Sequence, residues 1–382
     1  MKKAIYAFSG DPITYGHIDI IARASNVFDQ VVVGIGANPE KEAKKLYTFN
    51  LEERTEMAKK SLERFKNVEV ISFSGLLVDY AYEQGIGVIV KGVRNATDFD
   101  YENVLHQVGE SQKLGIDTHI LFARPELAHI SSSVVKAIQK EHGLISEYVP
   151  LHVKQCLEAR ISGQYIVGVT GEIGAGKSYV SQKFGELGKK NNIPVQDIEL
   201  DFIGHQILGE LKQPRYEEVR KKIAESFGEQ VRKSDGTIDR KTLGELVFTN
   251  SDALDKLNKI MSTPLLVRLR RELYSKKGLI LFNAALIAES NLAYLCNNNT
   301  VLVYADKETQ ASRLGLRGLS DEQIKRRLSS QFDFQGKKEK LEQVAERDNQ
   351  GKIWVVDNSD GINSKGNIER IFEEVVSDLR VK

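Results

Sequence analysis

A glycine-rich stretch in the middle of the chain constrains the fold more than any other feature of the sequence. Residues 171–178 read GEIGAGKS and directly follow the apolar run 165–169. A G-x-x-x-x-G-K-S pattern between a strand and a helix is typical of a phosphate-binding loop, because glycines let successive backbone N–H groups point at one anion. A glycine-rich structural turn is the alternative. The position between an apolar strand and an amphipathic helix favours the nucleotide site.

Each residue type in such a loop has a separate task. Lys177 supplies a point charge to the phosphates, and the hydroxyl of Ser178 is the predicted ligand of Mg²⁺. The helix behind the loop directs its positive end at the same anion. The backbone contacts to ATP are expected at Gly171, Gly174, Ala175 and Gly176. The sequence therefore predicts that ATP and Mg²⁺ bind here.

Composition bounds the remaining possibilities. The 382 residues are too many for one ordinary core, so we expect two domains. The net charge of +1 gives no basic field for nucleic acid, and the two distant cysteines, Cys156 and Cys296, indicate neither a zinc site nor a disulfide framework. The apolar run 4–8 is too short for a signal peptide, and no stretch approaches the roughly 18 apolar residues of a membrane span. We expect a cytoplasmic protein with small-molecule partners and no contact with nucleic acid or membranes.

Apolar runs and amphipathic segments alternate along the first part of the chain. We expect strands at 4–8, 31–35, 68–73, 88–90 and 118–122, and helices at 17–28, 51–65, 76–84, 98–114 and 131–140. This alternation predicts a doubly wound parallel α/β sheet, whose ligands bind beyond the carboxyl ends of the strands.

Polar side chains of complementary types occur in three of the predicted loops at that edge. His17 stands near a helix start after the first strand, Lys91 and Arg94 follow the fourth strand, and serines 131–133 follow the fifth. Taken singly, His17 or Ser131 could cap a helix, and the two cations could form a solvated turn. Their convergence on one sheet edge favours a second polyphosphate site.

Four blocks of this first part resemble bacterial phosphopantetheine adenylyltransferases. They are residues 6–19 (YAFSGDPITYGHID), 51–54 (LEER), 91–102 (KGVRNATDFDYE) and 130–133 (ISSS). The G-H signature alone also occurs in the wider nucleotidyltransferase superfamily, and the spacing of all four blocks narrows the resemblance to the phosphopantetheine adenylyltransferases. The resemblance implies transfer of AMP from ATP to 4′-phosphopantetheine, which gives dephospho-CoA and pyrophosphate.

The resemblance also implies a role for individual residues. His17 donates to the α-phosphate where negative charge builds, Ser9 positions the acceptor phosphate, and Lys45 or its neighbour Lys44 offsets charge on the reacting phosphates. An acceptor phosphate is already ionised near neutral pH, so no general base is required. The residues implied to bind ATP are Ser9, His17, Gly92, Arg94, Glu102, Ser131, Ser132 and Ser133, and those implied to bind the acceptor are Ser9, Lys44, Lys45, Leu77 and Lys91.

The sequence departs from that family at three places. Ser9 stands where threonine is usual, and Lys91 replaces an arginine, so a bidentate phosphate contact becomes a single point charge that weakens acceptor binding. The loop before Leu51 is longer than usual, which leaves Lys44 and Lys45 as alternatives. The family also implies a homo-oligomer formed through the first domain.

The second part of the chain has the pattern of a P-loop kinase. We expect strands at 194–198, 279–282, 300–304 and 353–356, a largely helical insert over 213–276, and helices at 307–316, 321–331 and 367–379. An insert of this kind clamps the substrate and closes over it. We therefore predict a nucleotidyltransferase domain over residues 1–158, a linker at 159–164 and a kinase domain over 165–382.

Residues 166–178 resemble the opening of dephospho-CoA kinases, and the pairs 227–228, 235–236 and 257–258 recur at matching intervals. The resemblance implies phosphorylation of the ribose 3′-hydroxyl of dephospho-CoA by MgATP. Because a hydroxyl must lose its proton, a carboxylate is required near the loop. The implied catalytic residues are Lys177, Glu199, Asp201 and a lid arginine, Arg317, with Asn358 on the adenine side. The two parts in tandem resemble bifunctional coenzyme A synthases.

Several substrate-side positions depart from the kinase family. Glu199 replaces an aspartate, residues 262–264 (STP) replace its His-Pro, Asn283 replaces an acid, and Glu172 replaces a loop glycine. Three hypotheses remain: a two-step enzyme; an active adenylyltransferase fused to a divergent P-loop domain with a regulatory role or another substrate; and a nucleotide-gated assembly protein without turnover. The intact Ser9, His17, Arg94 and serine run argue against the third.

Overall fold

The structure is a computed structural model that describes residues 2–37, 42–247, 250–316, 331–359 and 364–382. The chain divides into two compact units, one of residues 1–140 with 144–160 and one of residues 141–143 with 161–382. Each unit contains a five-stranded sheet in which every described strand pair is parallel. The predicted α/β fold with two doubly wound sheets is confirmed.

The first unit alternates strands and helices in chain order: β1 (Lys3–Phe8), α1 (Tyr15–Ser25), β2 (Gln30–Gly36), α2 (Leu51–Leu62), β3 (Val68–Phe73), α3 (Leu77–Glu83), β4 (Val88–Val93), α4 (Ala96–Ser111), β5 (Asp117–Phe122), α5 (Ser132–Lys140) and α6 (Leu151–Leu157). The strand order is β3-β2-β1-β4-β5. The chain therefore reverses direction across the sheet between β1 and β4, and ligands of such sheets bind at this switch point.

The middle of this sheet is apolar on both faces because helices cover it on both sides. Ile5 of β1 packs with Val32, Ala81 and Ile89 in one buried cluster. Capping residues set where the covering helices begin: Asn50 accepts from the N–H of Glu53 at the start of α2, and the Glu53 carboxylate accepts from the N–H of Asn50 in return.

The expectation that residues 91–93 form a loop is wrong, because they are the last residues of β4. Lys91, Gly92 and Val93 stay in register with Ile120, Leu121 and Phe122 of β5. Glycine and lysine have low strand propensity, so the sequence pattern ended the strand too early, whereas pairing with β5 continues it. Only Arg94 follows the strand. After α6, residues 158–162 form one π-helical turn, and Gln164 already belongs to the next strand.

The second unit consists of β6 (Gln164–Gly171), α7 (Lys177–Lys190), β7 (Val195–Glu199), α8 (Leu200–Gly209), α9 (Pro214–Phe227), α10 (Arg240–Val247), α11 (Ser251–Leu273), β8 (Gly278–Asn283), β9 (Thr300–Tyr304), α12 (Lys307–Leu316), α13 (Phe334–Arg347), β10 (Ile353–Asp357) and α14 (Ser364–Leu379), with short 3₁₀ turns at Glu229–Val231 and Ala293–Cys296. The strand order is β10-β9-β6-β8-β7. Because β6 lies between β8 and β9, the loop that follows it opens at the middle of the sheet edge.

Helix α13 was not predicted from the sequence. Half of its 14 residues are charged, and Leu341 and Lys337 are the ones that it buries. The helix predicted at 321–331 lies outside the described residues except for Gln331, and so does Arg317. Across the described parts of the chain, no helix combines the length and the apolar character needed to cross a membrane.

Candidate nucleotide sites

His17 lies in the first turn of α1 and is held in one orientation by Thr14, the residue that caps the helix. The backbone N–H of Thr14 donates to His17 Nδ1 (3.0 Å), and the Thr14 hydroxyl lies 2.9 Å from the same atom. Because a backbone N–H can only donate, Nδ1 accepts and the ring proton is on Nε2. The ring of Phe8 stacks on the imidazole at 4.3 Å. Burial, and then the charge of Arg94, lower the pKa of His17 to about 4, so the ring presents a neutral N–H donor near pH 7.

Two buried charged residues fix the loops around this histidine, and sequence reasoning gave neither a role. Arg54 is fully buried and donates through Nη1 to the carbonyls of Ser9 and Gly36, which joins the carboxyl ends of β1 and β2. Asp11 is also buried; its carboxylate accepts from the N–H groups of Thr48 and Phe49 and pairs with Lys136 at 2.7 Å. Both residues stand in blocks that carry the family resemblance, residues 6–19 and 51–54, and this was the signal available in the sequence.

Arg94 is held by an acid on the first turn of α4. Its guanidinium donates to both carboxylate oxygens of Asp98, at 2.7 and 3.0 Å, and its Nη1 reaches the carbonyl of Ile130 at 3.3 Å. The hydrogen bond from Arg94 is the main reason that the pKa of Asp98 is lowered. Arg94 therefore stands at the start of the serine run, and Asp98 positions it.

Lys91 and Glu102, predicted to bind different substrates, form an ion pair with each other at 2.8 Å. Burial, and next the charge of Glu102, raise the pKa of Tyr6 nearby. Gly92 has a packing role as well, because a Cβ at this position would lie 2.9 Å from Cγ1 of Ile20 on α1. The three predicted residues of this block thus have structural contacts in addition to their predicted roles.

The serine run begins α5 and connects it to the loop after β1. The Ser131 hydroxyl accepts from the N–H of Val134 at 3.2 Å, which is the capping role considered from sequence. The Ser132 hydroxyl donates to the carbonyl of Pro12 at 2.8 Å. Ser133 is exposed. These contacts link the serines to the Ser9 loop and, through Ile130, to Arg94.

The remaining residues predicted in this unit belong to other segments, a turn after β2 and helix α3. Lys44 and Lys45 are exposed on a turn after β2, with a left-handed φ of 51° at Lys45, and the structure leaves both as alternatives. Leu77 begins α3 and packs against the cluster around Ile5. A role for Leu77 in acceptor binding stays a prediction.

The loop after β6 adopts a conformation that requires its glycines. Gly171, Gly174 and Gly176 have φ values of 152°, 83° and 93°. A Cβ at Gly171 would lie 2.3 Å from the Val303 carbonyl oxygen, and one at Gly176 would lie 2.2 Å from Nδ2 of Asn358. Only glycine fits these positions without displacing the loop.

Polar side chains form hydrogen bonds with the carbonyl groups of this loop. Nζ of Lys177 donates to the carbonyls of Gly171 (3.1 Å) and Glu172 (3.2 Å). The buried carbonyl of Ala175 accepts from Asn358 Nδ2 at 2.8 Å and from Arg313 Nη1 at 3.3 Å. Arg313 also donates to the Asn358 carbonyl, and sequence reasoning missed it. Its position in the sequence, four residues before the predicted Arg317, was the available signal.

Glu172, the acid that replaces a loop glycine, forms a hydrogen bond with a residue of α12. The Glu172 carboxylate accepts from Nε2 of the buried Gln310 at 3.2 Å. The partner of the Glu172 carboxylate is therefore the Gln310 side chain, which is not one of the backbone N–H groups that would face the phosphates.

Seven of the predicted residues line one cleft of about 1390 Å³ in the second unit: Gly174, Gly176, Lys177, Ser178, Glu199, Asp201 and Asn358. The Asp201 carboxylate accepts from the N–H of Ala285 at 3.2 Å, which ties α8 to the segment after β8. A buried ion pair between Glu289 and Lys337, whose Nζ also donates to the Ala285 carbonyl, ties the same segment to α13.

Asn283, which stands at the end of β8 where the kinase family has an acid, has the carboxylate of Asp197 as a neighbour. Asn283 donates to the Ser181 hydroxyl at 3.2 Å. The pKa of Asp197 is raised to about 6, mainly because its carboxyl group is withdrawn from water, although the residue as a whole is exposed. The hydrogen bond from Asn283 opposes this rise, the charge of Glu199 adds to it, and a hydrogen bond from Ser181 also opposes it. Sequence reasoning did not single out Asp197.

Comparisons with known proteins match the two units to different families. Residues 9–138 match the cytidylyltransferase-like family model, and residues 165–353 match the dephospho-CoA kinase model. A phosphopantetheine adenylyltransferase of Alkaliphilus metalliredigens is 41% identical over 160 residues, which is 42% of this chain and 99% of that protein. One from Caldanaerobacter subterraneus is 41% identical over 150 residues, covering 39% of this chain and 91% of the relative. A Thermus thermophilus crystal structure aligns with 56% of this chain and 98% of its own at 26% identity and a TM-score of 0.42.

Proposed function

The chain belongs to the phosphopantetheine adenylyltransferase family, and from this premise we propose that it carries out the last two steps of coenzyme A biosynthesis. Both parts belong to families of enzymes that use ATP as a substrate. The first unit transfers AMP from ATP to 4′-phosphopantetheine and releases pyrophosphate. The second unit phosphorylates the ribose 3′-hydroxyl of the resulting dephospho-CoA.

The orientation of His17 is the observation that supports the first reaction best. A neutral imidazole with its proton on Nε2 donates a hydrogen bond to the α-phosphate without supplying a proton, which suits a reaction whose nucleophile is an ionised phosphate. Arg94, positioned by Asp98, neutralises charge on the same triphosphate. Ser9 and Lys91 hold the acceptor, and Lys44 or Lys45 offsets charge on the reacting phosphates.

The second reaction needs a phosphate cradle and a group that accepts a proton, and one cleft contains both. The glycine loop with Lys177 holds the phosphates of ATP. Glu199 and Asp201 line the same cleft, and either carboxylate can accept the proton of the attacking hydroxyl. Asn358 and Arg313 hold the loop from the other side.

The cleft also fits Mg²⁺. Mg²⁺ prefers oxygen ligands and takes only one or two from the protein when phosphates and water supply the rest. The Ser178 hydroxyl and one of the two carboxylates, Glu199 or Asp201, would hold the ion, which leaves the other carboxylate to accept the proton. When bound, the ion would neutralise charge on the phosphates.

The first unit also has the surface expected of a homo-oligomer. Helix α4 has no buried residue. It exposes five apolar side chains: Phe99, Tyr101, Val104, Leu105 and Val108. An apolar strip of this kind is usually covered by a partner, and the resemblance to a family of homo-oligomers supports a second copy of this chain as the occupant. Sedimentation velocity on Val104→Asp should show a smaller assembly than the wild type, and an unchanged assembly would place the contact elsewhere.

Incubation of the purified chain with 4′-phosphopantetheine, ATP and Mg²⁺, with products resolved by mass, tests the two reactions together. Coenzyme A is the expected final product. Accumulation of dephospho-CoA without further conversion would instead support the alternative of an active adenylyltransferase fused to a regulatory P-loop domain, an alternative favoured by the replacement of an acid at Asn283.

A further inference from the structure

Lys337 of α13 is a buried cation to which the proposed reactions assign no role. Its side chain is fully shielded from solvent, and so is nearly all of the Glu289 side chain, with which it forms an ion pair. Replacing such a pair by apolar side chains of similar volume is often neutral or stabilising, so stability alone does not explain a charge at this position. The second contact of the ammonium group offers a different reason.

That second contact is with the backbone of Ala285, the second residue after β8. Nζ of Lys337 donates to the Ala285 carbonyl at 2.8 Å, and the hydroxyl of Thr170 donates to the same oxygen at 3.2 Å. Thr170 is buried and directly precedes the glycine loop. An apolar side chain of the same length could fill the space of Lys337 but could not donate to this carbonyl. The ammonium group therefore restrains the backbone at Ala285.

The other backbone group of Ala285 contacts a carboxylate of the cleft. The Ala285 N–H donates to the Asp201 carboxylate at 3.2 Å, and both residues line the cleft. Asp201 is exposed, so this hydrogen bond restrains a side chain that would otherwise be free to rotate in water. Because the N–H and the carbonyl flank one Cα atom, displacement of the carbonyl also moves the N–H. The contacts of Lys337 thus extend through Ala285 to Asp201.

We propose that Lys337 is a positioning residue for the phosphoryl transfer: by holding the Ala285 carbonyl it places the N–H that orients the Asp201 carboxylate. This role rests on the kinase activity proposed above. Lys337 does not line the cleft and touches neither substrate. Its role is the same whether Asp201 accepts the proton or holds the metal ion, because both tasks need a carboxylate in a fixed orientation.

The kinetics of Lys337→Met in the full chain test this role. The change alone would leave the Glu289 carboxylate buried without its cation, so it is combined with Glu289→Gln, which retains an oxygen to accept from the N–H of Phe332. For this paired variant, kcat for phosphorylation of dephospho-CoA should fall about tenfold, while the KM values of both substrates stay within about twofold of wild type. Lys338→Met, at the next residue of α13, which pairs with Glu342, is the control and should behave as wild type. A rise in KM without a fall in kcat would overturn the proposal.

A double-mutant cycle with Asp201 separates positioning from a general structural role. In an Asp201→Ala background, the paired variant should lower the remaining rate by less than about twofold, because the residue through which Lys337 acts is already gone. Thr170→Val removes the other donor to the Ala285 carbonyl; it should lower kcat by about threefold, and this effect should also disappear without Asp201. Losses that multiply in the Asp201→Ala background would overturn the proposal.

Hydrogen exchange distinguishes failure of this inference from failure of the kinase proposal. The Ala285 amide is protected by its bond to Asp201, and its exchange is followed by mass spectrometry in short peptides over residues 283–290 of the full chain without substrates. Faster exchange both in Asp201→Ala and in the paired variant of Lys337 and Glu289 supports the link between Lys337 and Asp201, even if the wild type transfers no phosphate. Any other pattern of exchange in these two variants would overturn it.

Discussion

The two proposed nucleotide sites offer different parts of the chain to phosphate. In the first unit, side chains from separate elements converge, and each is oriented by a neighbour: His17 by Thr14, and Arg94 by Asp98. In the second unit, the backbone of one continuous loop forms the cradle, and glycines in left-handed conformations shape it. A side-chain site depends on its positioning residues, whereas a backbone site depends on its glycines and on one lysine.

The nucleophiles explain a second difference between the units. A phosphate acceptor is ionised near neutral pH, and the first site accordingly presents a neutral donor at His17. A sugar hydroxyl must be deprotonated, and the second site places Glu199 and Asp201 in its cleft. The comparison therefore predicts that each half-reaction can be removed without loss of the other.

The largest effect is expected for Lys177→Ala. Loss of the charge at the phosphates should lower kcat for 3′-phosphorylation by about 10³-fold or more, while AMP transfer by the same sample stays within about twofold of wild type. Coenzyme A and dephospho-CoA are quantified separately by mass. The control is Lys183→Ala, an outward cation on the same helix that pairs with Glu186. An equal fall in both activities would show that the two sites are not independent.

His17→Ala should give the reciprocal result. Removing one oriented donor from the α-phosphate should lower kcat for pyrophosphate release by about 10²- to 10³-fold, without changing phosphorylation of added dephospho-CoA. Thr14→Val, which removes the hydroxyl but retains the backbone N–H that fixes the tautomer, should cost less. His119→Ala, at a half-exposed histidine of β5, is the control. A rise confined to the KM for ATP would mean that His17 binds the ground state only.

The contrast between the sites also decides what the sequence could predict. The glycine loop is contiguous, so eight residues indicated both its fold and its ligand, and the alternation of strands and helices predicted both sheets. The positioning residues could not be predicted in this way. Arg54 and Asp11 contact residues that are distant in sequence, and Asp98 acts through a hydrogen bond that no hydrophobic periodicity reveals. Helix α13 was missed because a charged helix with few buried positions has no apolar stripe. Residues 91–93 were assigned to a loop because their strand depends on pairing with β5.

A smaller effect is expected when a positioning residue of the first site is changed. Asp98→Asn removes the charge that fixes both nitrogens of the Arg94 guanidinium, and kcat/KM for ATP in AMP transfer should fall about tenfold. Asp100→Asn, an exposed acid on the same helix, is the matched control. Tighter ATP binding in Asp98→Asn would instead show that Asp98 competes with the phosphates for Arg94.

The smallest effect concerns pH and tests whether His17 titrates during turnover. Its pKa of about 4 lies below the ordinary 6.5, so between these values the unfolded chain binds a proton that the folded site does not. The free energy of unfolding of the first unit therefore falls as pH drops through this window, while the folded imidazole stays neutral. From pH 8 to 5 the rate of AMP transfer should follow only the acceptor phosphate, with a loss of about twofold near pH 6. His17→Gln retains a hydrogen-bond donor but has no ring that titrates. Its pH–rate profile should therefore lie lower than that of the wild type and keep the same inflection. Loss of the inflection in this variant would show that the histidine itself gains a proton in the working range.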